Sequence, residues 1–188
     1  MEALKNDRYY TYTDYRTWDK DIRCELIDGV VYMITSPSRI HQYICTALIY
    51  QFFDFLKDKP CEVYVAPFDV RLNIEGGDDT VVQPDILVVC DREKLDSKSC
   101  QGAPDLVVEA LSPSSETHDK ILKFNKYLQA GVQEYWIVDP NNRIVHVYVL
   151  ESGKYVASVY AEEDTLPVSV LEGCVVTLAD VFPEGSAL

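Results

Sequence analysis

Asp85 and Glu109 are the residues that most need a chemical reason. Each is a carboxylate set in an otherwise apolar stretch, Val81 to Val89 and Ala103 to Leu111. Burying an unpaired carboxylate is very costly. A single residue of this kind is most simply a strand-end group touching water, or one paired with lysine. Two of them on neighbouring buried strands fit a different demand, because hard cations such as Mg²⁺ bind where a few carboxylate oxygens converge. Glu25, in the run Glu25-Leu26-Ile27, is a third candidate, although alone it reads as a half-exposed strand residue.

The segment after Glu109 carries the basic groups. At about 100° per residue, Ile121, Phe124 and Leu128 share one helix face, and Asp119, Lys123, Lys126, Tyr127 and Ala130 lie opposite. Lys123 or Lys126 placed over the carboxylates could orient a water nucleophile and stabilise charge developing on a phosphorane. Spacing alone favours a plainer account, a solvated face with an Asp119–Lys123 pair worth a few tenths of a kcal/mol. His41 could contact phosphate or carry a proton, but a histidine on a first helix is more often packed or capping. His118 and His146 have no metal-ligand spacing. Neither a Walker loop nor a nucleophile elbow is present, and Gly76-Gly77 reads as a turn.

The elements that must position these groups follow from local pattern. Asp28-Gly29 between two short apolar runs is a strong hairpin signal. Ser36-Pro37 predicts a helix start, with Ser36 as N-cap. Ile40, Ile44, Leu48, Phe52 and Phe55 then form one apolar stripe to about Lys57. Cys61 to Leu72 reads as one strand. Val81 to Val89 reads as a strand covered on both faces, with Pro84 marking a bend, an edge or a bulge. After the strand holding Glu109, a helix is expected from Ser112 to Ala130, with Gly131 as its C-terminal cap. Strands over 134–138, 144–150 and 155–160 complete the pattern. Strand, helix and strand between residues 103 and 138 imply a right-handed parallel crossover, and hairpins flank it. The expected architecture is α/β, a mixed sheet flanked by helices, in a single domain over residues 1–188.

Bulk properties bound the function. The 188 residues are 47% hydrophobic and 26% charged, an ordinary globular composition. A polar N-terminus and the lack of any apolar run near 20 residues exclude a secretory core and a membrane span. Six cysteines without C-x-x-C spacing argue against a zinc site or a disulfide framework, and predict a reducing cytoplasm. The net charge of −14 opposes non-specific attraction to nucleic acid. A bound cation with a few local lysines can still reverse the potential inside one cleft.

In order, the chain presents Glu25-Leu26-Ile27-Asp28-Gly29, then Ser36-Pro37 with His41-Gln42, then Pro84-Asp85-Ile86. Glu109-Ala110-Leu111-Ser112-Pro113-Ser114 follows, then Asp119, Lys123 and Tyr127, and finally Gly131 to Pro140 with Glu134-Tyr135-Trp136-Ile137-Val138-Asp139 inside it. This series, over about residues 10 to 150, strongly resembles the bacterial Uma-type restriction endonucleases of the PD-(D/E)xK superfamily. The resemblance implies a restriction-endonuclease-like core and a Mg²⁺- or Mn²⁺-dependent endonuclease that hydrolyses DNA phosphodiester bonds. It implies Asp85 and Glu109 as metal ligands, the Ala110 carbonyl as an additional one, and Glu25 as the early acidic residue of the site. Leu111 stands where the superfamily motif has lysine. Lys123 is the expected displaced replacement, with Lys126 in reserve. A homodimer would give the two sites that cutting both strands requires.

Three other readings compete: a degenerate nuclease fold that binds nucleic acid or a partner without cleaving, a metal-dependent hydrolase of smaller phosphoesters, and a structural interaction domain whose carboxylates are ion-paired.

Overall fold

A computed structural model describes residues 8–19, 21–112 and 118–183, with backbone alone for 118–120. A one-turn helix, α1 (Tyr12–Tyr15), packs Tyr12 against Cys24, Leu26, Val31 and Val81. Asp28 and Gly29 both adopt positive φ, 51° and 72°, the pairing a type I′ turn requires. The turn joins β1 (Cys24–Ile27) to β2 (Val30–Met33) in antiparallel register.

The first long helix, α2 (Arg39–Leu56), begins later than Ser36-Pro37 suggests. Ser38 is the N-cap, its side chain accepting the His41 N–H at 3.2 Å, so Pro37 precedes the helix and does not open it. Ile44, Leu48, Phe52 and Leu56 are buried along one stripe, which His41 extends toward the N-terminus.

Two prolines break runs that read as single strands. Cys61 to Leu72 becomes β3 (Glu62–Val65) and β4 (Asp69–Arg71), parted at the cis Ala66–Pro67 bond. Val81 to Val89 becomes β5 (Val81–Val82) and β6 (Ile86–Val89), parted around Pro84. A proline has no N–H for a ladder, and at each break the chain passes between two sheets. The remaining strands are β7 (Ser99–Gln101), β8 (Leu106–Ala110), β9 (Glu134–Asp139), β10 (Ile144–Glu151), β11 (Lys154–Ala161), β12 (Thr165–Pro167) and β13 (Val175–Thr177).

The larger sheet has the order β11-β10-β9-β8-β6-β3, with β8 and β9 parallel and the other pairs antiparallel. It is the expected mixed sheet, and β8 and β9 are the expected crossover pair. A second sheet, β2-β1-β5-β4-β7, lies against it, and β12 with β13 forms a small ribbon. Ile86, Val88, Leu106, Val108, Trp136 and Val138 pack with α2 and the C-terminal segment. Their strand neighbours Leu87, Val89, Val107, Tyr135 and Ile137 face Ile27, Val70 and Val82 of the second sheet. The larger sheet is covered on both faces, which accounts for the near-continuous apolar character of β6, β8 and β9.

The helix after β8 departs from its expected form. Helical backbone among the described residues starts at His118, runs as π-helix to Lys123 and continues as α3 (Phe124–Ala130). The predicted start at Ser112-Pro113 lies outside the described residues from Pro113 onward, as does the side chain of Asp119. Gly131 ends α3 with φ 85°, its N–H donating to the Tyr127 and Leu128 carbonyls.

The expectation of no disulfide is also corrected. Cys61 and Cys90 are bonded. They sit one residue beyond the Glu62–Val89 pair of the β3–β6 ladder, so strand register brings their side chains together, a proximity that spacing along the chain does not reveal. Cys24, Cys45, Cys100 and Cys174 are free. No helix among the described residues is long and apolar enough to cross a membrane.

Candidate active site

Asp85 and Glu109 are brought level by strand register. β6 and β8 pair Ile86 with Val108, and one step further along the same register Asp85 stands opposite Glu109. The β8 backbone fixes the aspartate, with Ala110 N–H donating to Asp85 Oδ2 at 2.8 Å. His41, reaching from the first turn of α2, places Nε2 3.0 Å from the same oxygen. Asp85 Oδ1 accepts no hydrogen bond among the described residues, and the side chain is 18% exposed. One oxygen is therefore held by the protein, and the other faces a solvent-accessible setting.

Glu25 arrives from the second sheet. Its Oε1 accepts the Gln83 N–H at 2.7 Å, from the segment where the chain passes between sheets. Lys123 closes the arrangement, with Nζ 2.8 Å from Glu25 Oε1 and 2.9 Å from Glu109 Oε1. Tyr127, one turn along, donates its hydroxyl to Glu109 Oε1 at 2.7 Å. Burial, and next the Glu109 charge, push the Tyr127 phenol well above its ordinary range, so it serves as a donor.

The helix face assigned to solvent therefore carries two buried residues. Lys123 is 2% exposed and Tyr127 fully buried, whereas Ile121 is 61% exposed. The physical reason is pairing. Lys123 and Tyr127 satisfy carboxylates on two different sheets, and Glu25 and Glu109 could not be buried without them. Lys126, the reserve candidate, lies outside this group and pairs with Asp28 at the β1–β2 turn, 2.6 Å away. Tyr127 was visible four residues after Lys123. What it contacts was not.

His41, Cys45 and Asp85 offer nitrogen, sulfur and oxygen atoms within 4.8 Å of one another. Their order is a chain and not a triangle, with Asp85 at Nε2 and the Cys45 sulfur 3.7 Å from Nδ1. Burial, then the Asp85 charge, raise the Cys45 thiol far above its ordinary value, which makes it a packed hydrogen-bonding group and a poor nucleophile.

A cleft of about 490 Å³ opens onto these groups, lined by Glu25, His41, Asp85, Glu109, Ala110 and Lys123, with Arg23 and Gln42 also on its wall. Three carboxylates against one buried ammonium leave this wall anionic, and its charged donors are carboxylate oxygens. Those oxygens fit a hard divalent cation.

A family profile described as "Putative restriction endonuclease", Uma2, matches residues 12–179. The chain belongs to the Uma2 family. An uncharacterized Synechocystis relative of this Uma2 chain is 30% identical over 138 residues, covering 72% of the chain and 71% of the relative. The crystal structure of a putative nuclease of the DUF820 group from Anabaena variabilis superposes with a TM-score of 0.73 at 20% identity, over 92% of this chain and 97% of that one. The Uma2 fold described above is thus a nuclease-like fold.

Proposed function

We propose that this Uma2 protein is a divalent-metal-dependent endonuclease acting on DNA phosphodiester bonds. The observation that carries the reading is the meeting of Glu25, Asp85, Glu109 and Lys123 at one cleft, with Lys123 within 3 Å of two of the carboxylates. Asp85 and Glu109 would hold Mg²⁺ or Mn²⁺, and the family resemblance implies the Ala110 carbonyl as a further donor. Such a cation supplies Lewis-acid stabilisation of the phosphoryl oxygens and a nucleophile at neutral pH.

The chain's own residues do the rest. His41 and the Ala110 N–H fix the Asp85 carboxylate in one orientation, as partners of ligating carboxylates commonly do. Glu25 and Tyr127 hold Lys123 and Glu109 so that neither must reorganise as charge develops. The Lys123 ammonium would position the nucleophile and stabilise negative charge on the attacked phosphate. Arg23, exposed on the cleft wall, offers a contact to a flanking phosphate.

The net charge of −14 favours a second reading, a nuclease fold that binds nucleic acid or a partner without cutting it. Cleavage of supercoiled plasmid decides between them. Metal-dependent nicking by the wild type, abolished by EDTA and by Asp85→Ala, is the expected result. Equal specific activity of Asp85→Ala would overturn the assignment. Salt-dependent DNA binding without turnover would establish the second reading.

A further inference from the structure

Among the described residues β11 pairs with β10 alone, so the six-stranded sheet ends in an open edge. The phase of that edge follows from its turn. Ser152 and Gly153 both have positive φ, 49° and 79°, and they close the hairpin as a two-residue type I′ loop. In such a hairpin the residues flanking the loop, Glu151 and Lys154, exchange both backbone hydrogen bonds, and bonded pairs recur at every second residue. Lys154, Val156, Ser158 and Tyr160 therefore bond to β10. Tyr155, Ala157 and Val159 direct their N–H and C=O groups away from it. Two contacts agree with this phase. Leu150, opposite Tyr155, donates its N–H to Gln133 on its other side at 2.8 Å, and Ala161 N–H turns outward to Asp164 at 2.7 Å.

Natural edge strands are guarded by charges, prolines or bulges. From Tyr155 to Ala161 this edge has no charged residue, proline or glycine. Val156 and Val159 are 47% and 57% exposed.

We propose that two copies of this chain pair antiparallel through β11, about a two-fold axis near Ala157. The outward residues are spaced symmetrically about Ala157, so Tyr155 of one copy meets the partner's Val159 and Ala157 meets the partner's Ala157. A second copy suits this edge because the strand it brings is itself uncharged over seven residues, in a chain whose net charge of −14 repels copies approaching by acidic surfaces. The product is one continuous twelve-stranded sheet, six strands from each copy.

The test is the solution mass of the full chain by analytical ultracentrifugation, with thermal melts alongside. The wild type is expected to sediment as a dimer. Ala157→Pro removes an N–H that the β10 ladder does not use, and should give a folded monomer that melts no lower than the wild type diluted below its dissociation constant. Val159→Lys should raise the dissociation constant on the order of tenfold or more by placing like charges at the edge, and it decides the matter if the proline variant misfolds. Ser158→Pro, which deletes a ladder bond, should lower the melting temperature, and an unmoved one would refute the phase. A monomeric wild type at its highest soluble concentration overturns the proposal. So does a dimer that survives both edge variants.

Discussion

Lys123 and Tyr127 stand one helical turn apart and deliver their polar atoms to the same oxygen of Glu109, at 2.9 and 2.7 Å. Glu25, on the other sheet, takes the same ammonium at 2.8 Å. Charge, hydrogen bonding and the joining of two sheets are thereby concentrated in four side chains.

Replacing Lys123 with Met should be severe. It leaves Glu25 and Glu109 buried without a counter-charge, a loss of about 3–5 kcal/mol. Urea denaturation reads the cost. Restoring much of the stability by adding Glu25→Gln and Glu109→Gln to Lys123→Met is the expected second result. No recovery in the triple variant would mean that the lysine stabilises by packing and not by charge.

Asp85→Asn should abolish Mn²⁺ binding measured by calorimetry if Asp85 is a ligand. His41→Ala should weaken it by roughly 10–100-fold, the usual cost of losing a group that orients a ligand. His41→Gln keeps a donor and should recover part of that loss. Identical affinity in the wild type and His41→Ala would remove the orienting role.

Alkaline pH should destabilise the protein through its buried tyrosines. Burial, with Glu109 next, holds Tyr127 well above its ordinary value, and burial does the same for Tyr155. Tyr64 is pushed up to about 12 by partial burial and its bond to Glu62. These folded values exceed the unfolded value near 10, so the unfolded chain releases protons first. The contribution is complete below pH ~10 and is lost as pH rises toward the folded values. Tyrosinate absorbance should show some tyrosines ionising only together with loss of circular dichroism. Tyr127→Phe should reduce the steepness of that decline.

Thiol titration of denatured, unreduced protein should count four free cysteines. Reduction should bring the count to six and lower stability by roughly 3–4 kcal/mol, given the 29-residue separation of Cys61 and Cys90. A count of six before reduction would remove the bond.

Much of the arrangement could be read from local chemistry. The Asp28-Gly29 hairpin, the α2 stripe and the parallel β8–β9 crossover each announce themselves through turn residues or periodicity. Proline effects were legible only in part. Pro84 signalled a bend, but whether a bend stays within a sheet or leaves it depends on partners distant in sequence. Lys123 illustrates the deeper limit. Its burial could not be identified from helical spacing, because a lysine is buried only where specific carboxylates await it, and Phe124 on the opposite side is packed as well. The same holds for Cys61 and Cys90, which meet through register.

The bridge from Glu25 through Lys123 to Glu109 has an evolutionary consequence. A lineage without the proposed activity would still need these side chains to keep its two sheets together, so the acidic signature should persist where the activity does not. Descendants that replace Lys123 should also have replaced Glu25 or Glu109, exchanging the charged keystone for an apolar one in concert.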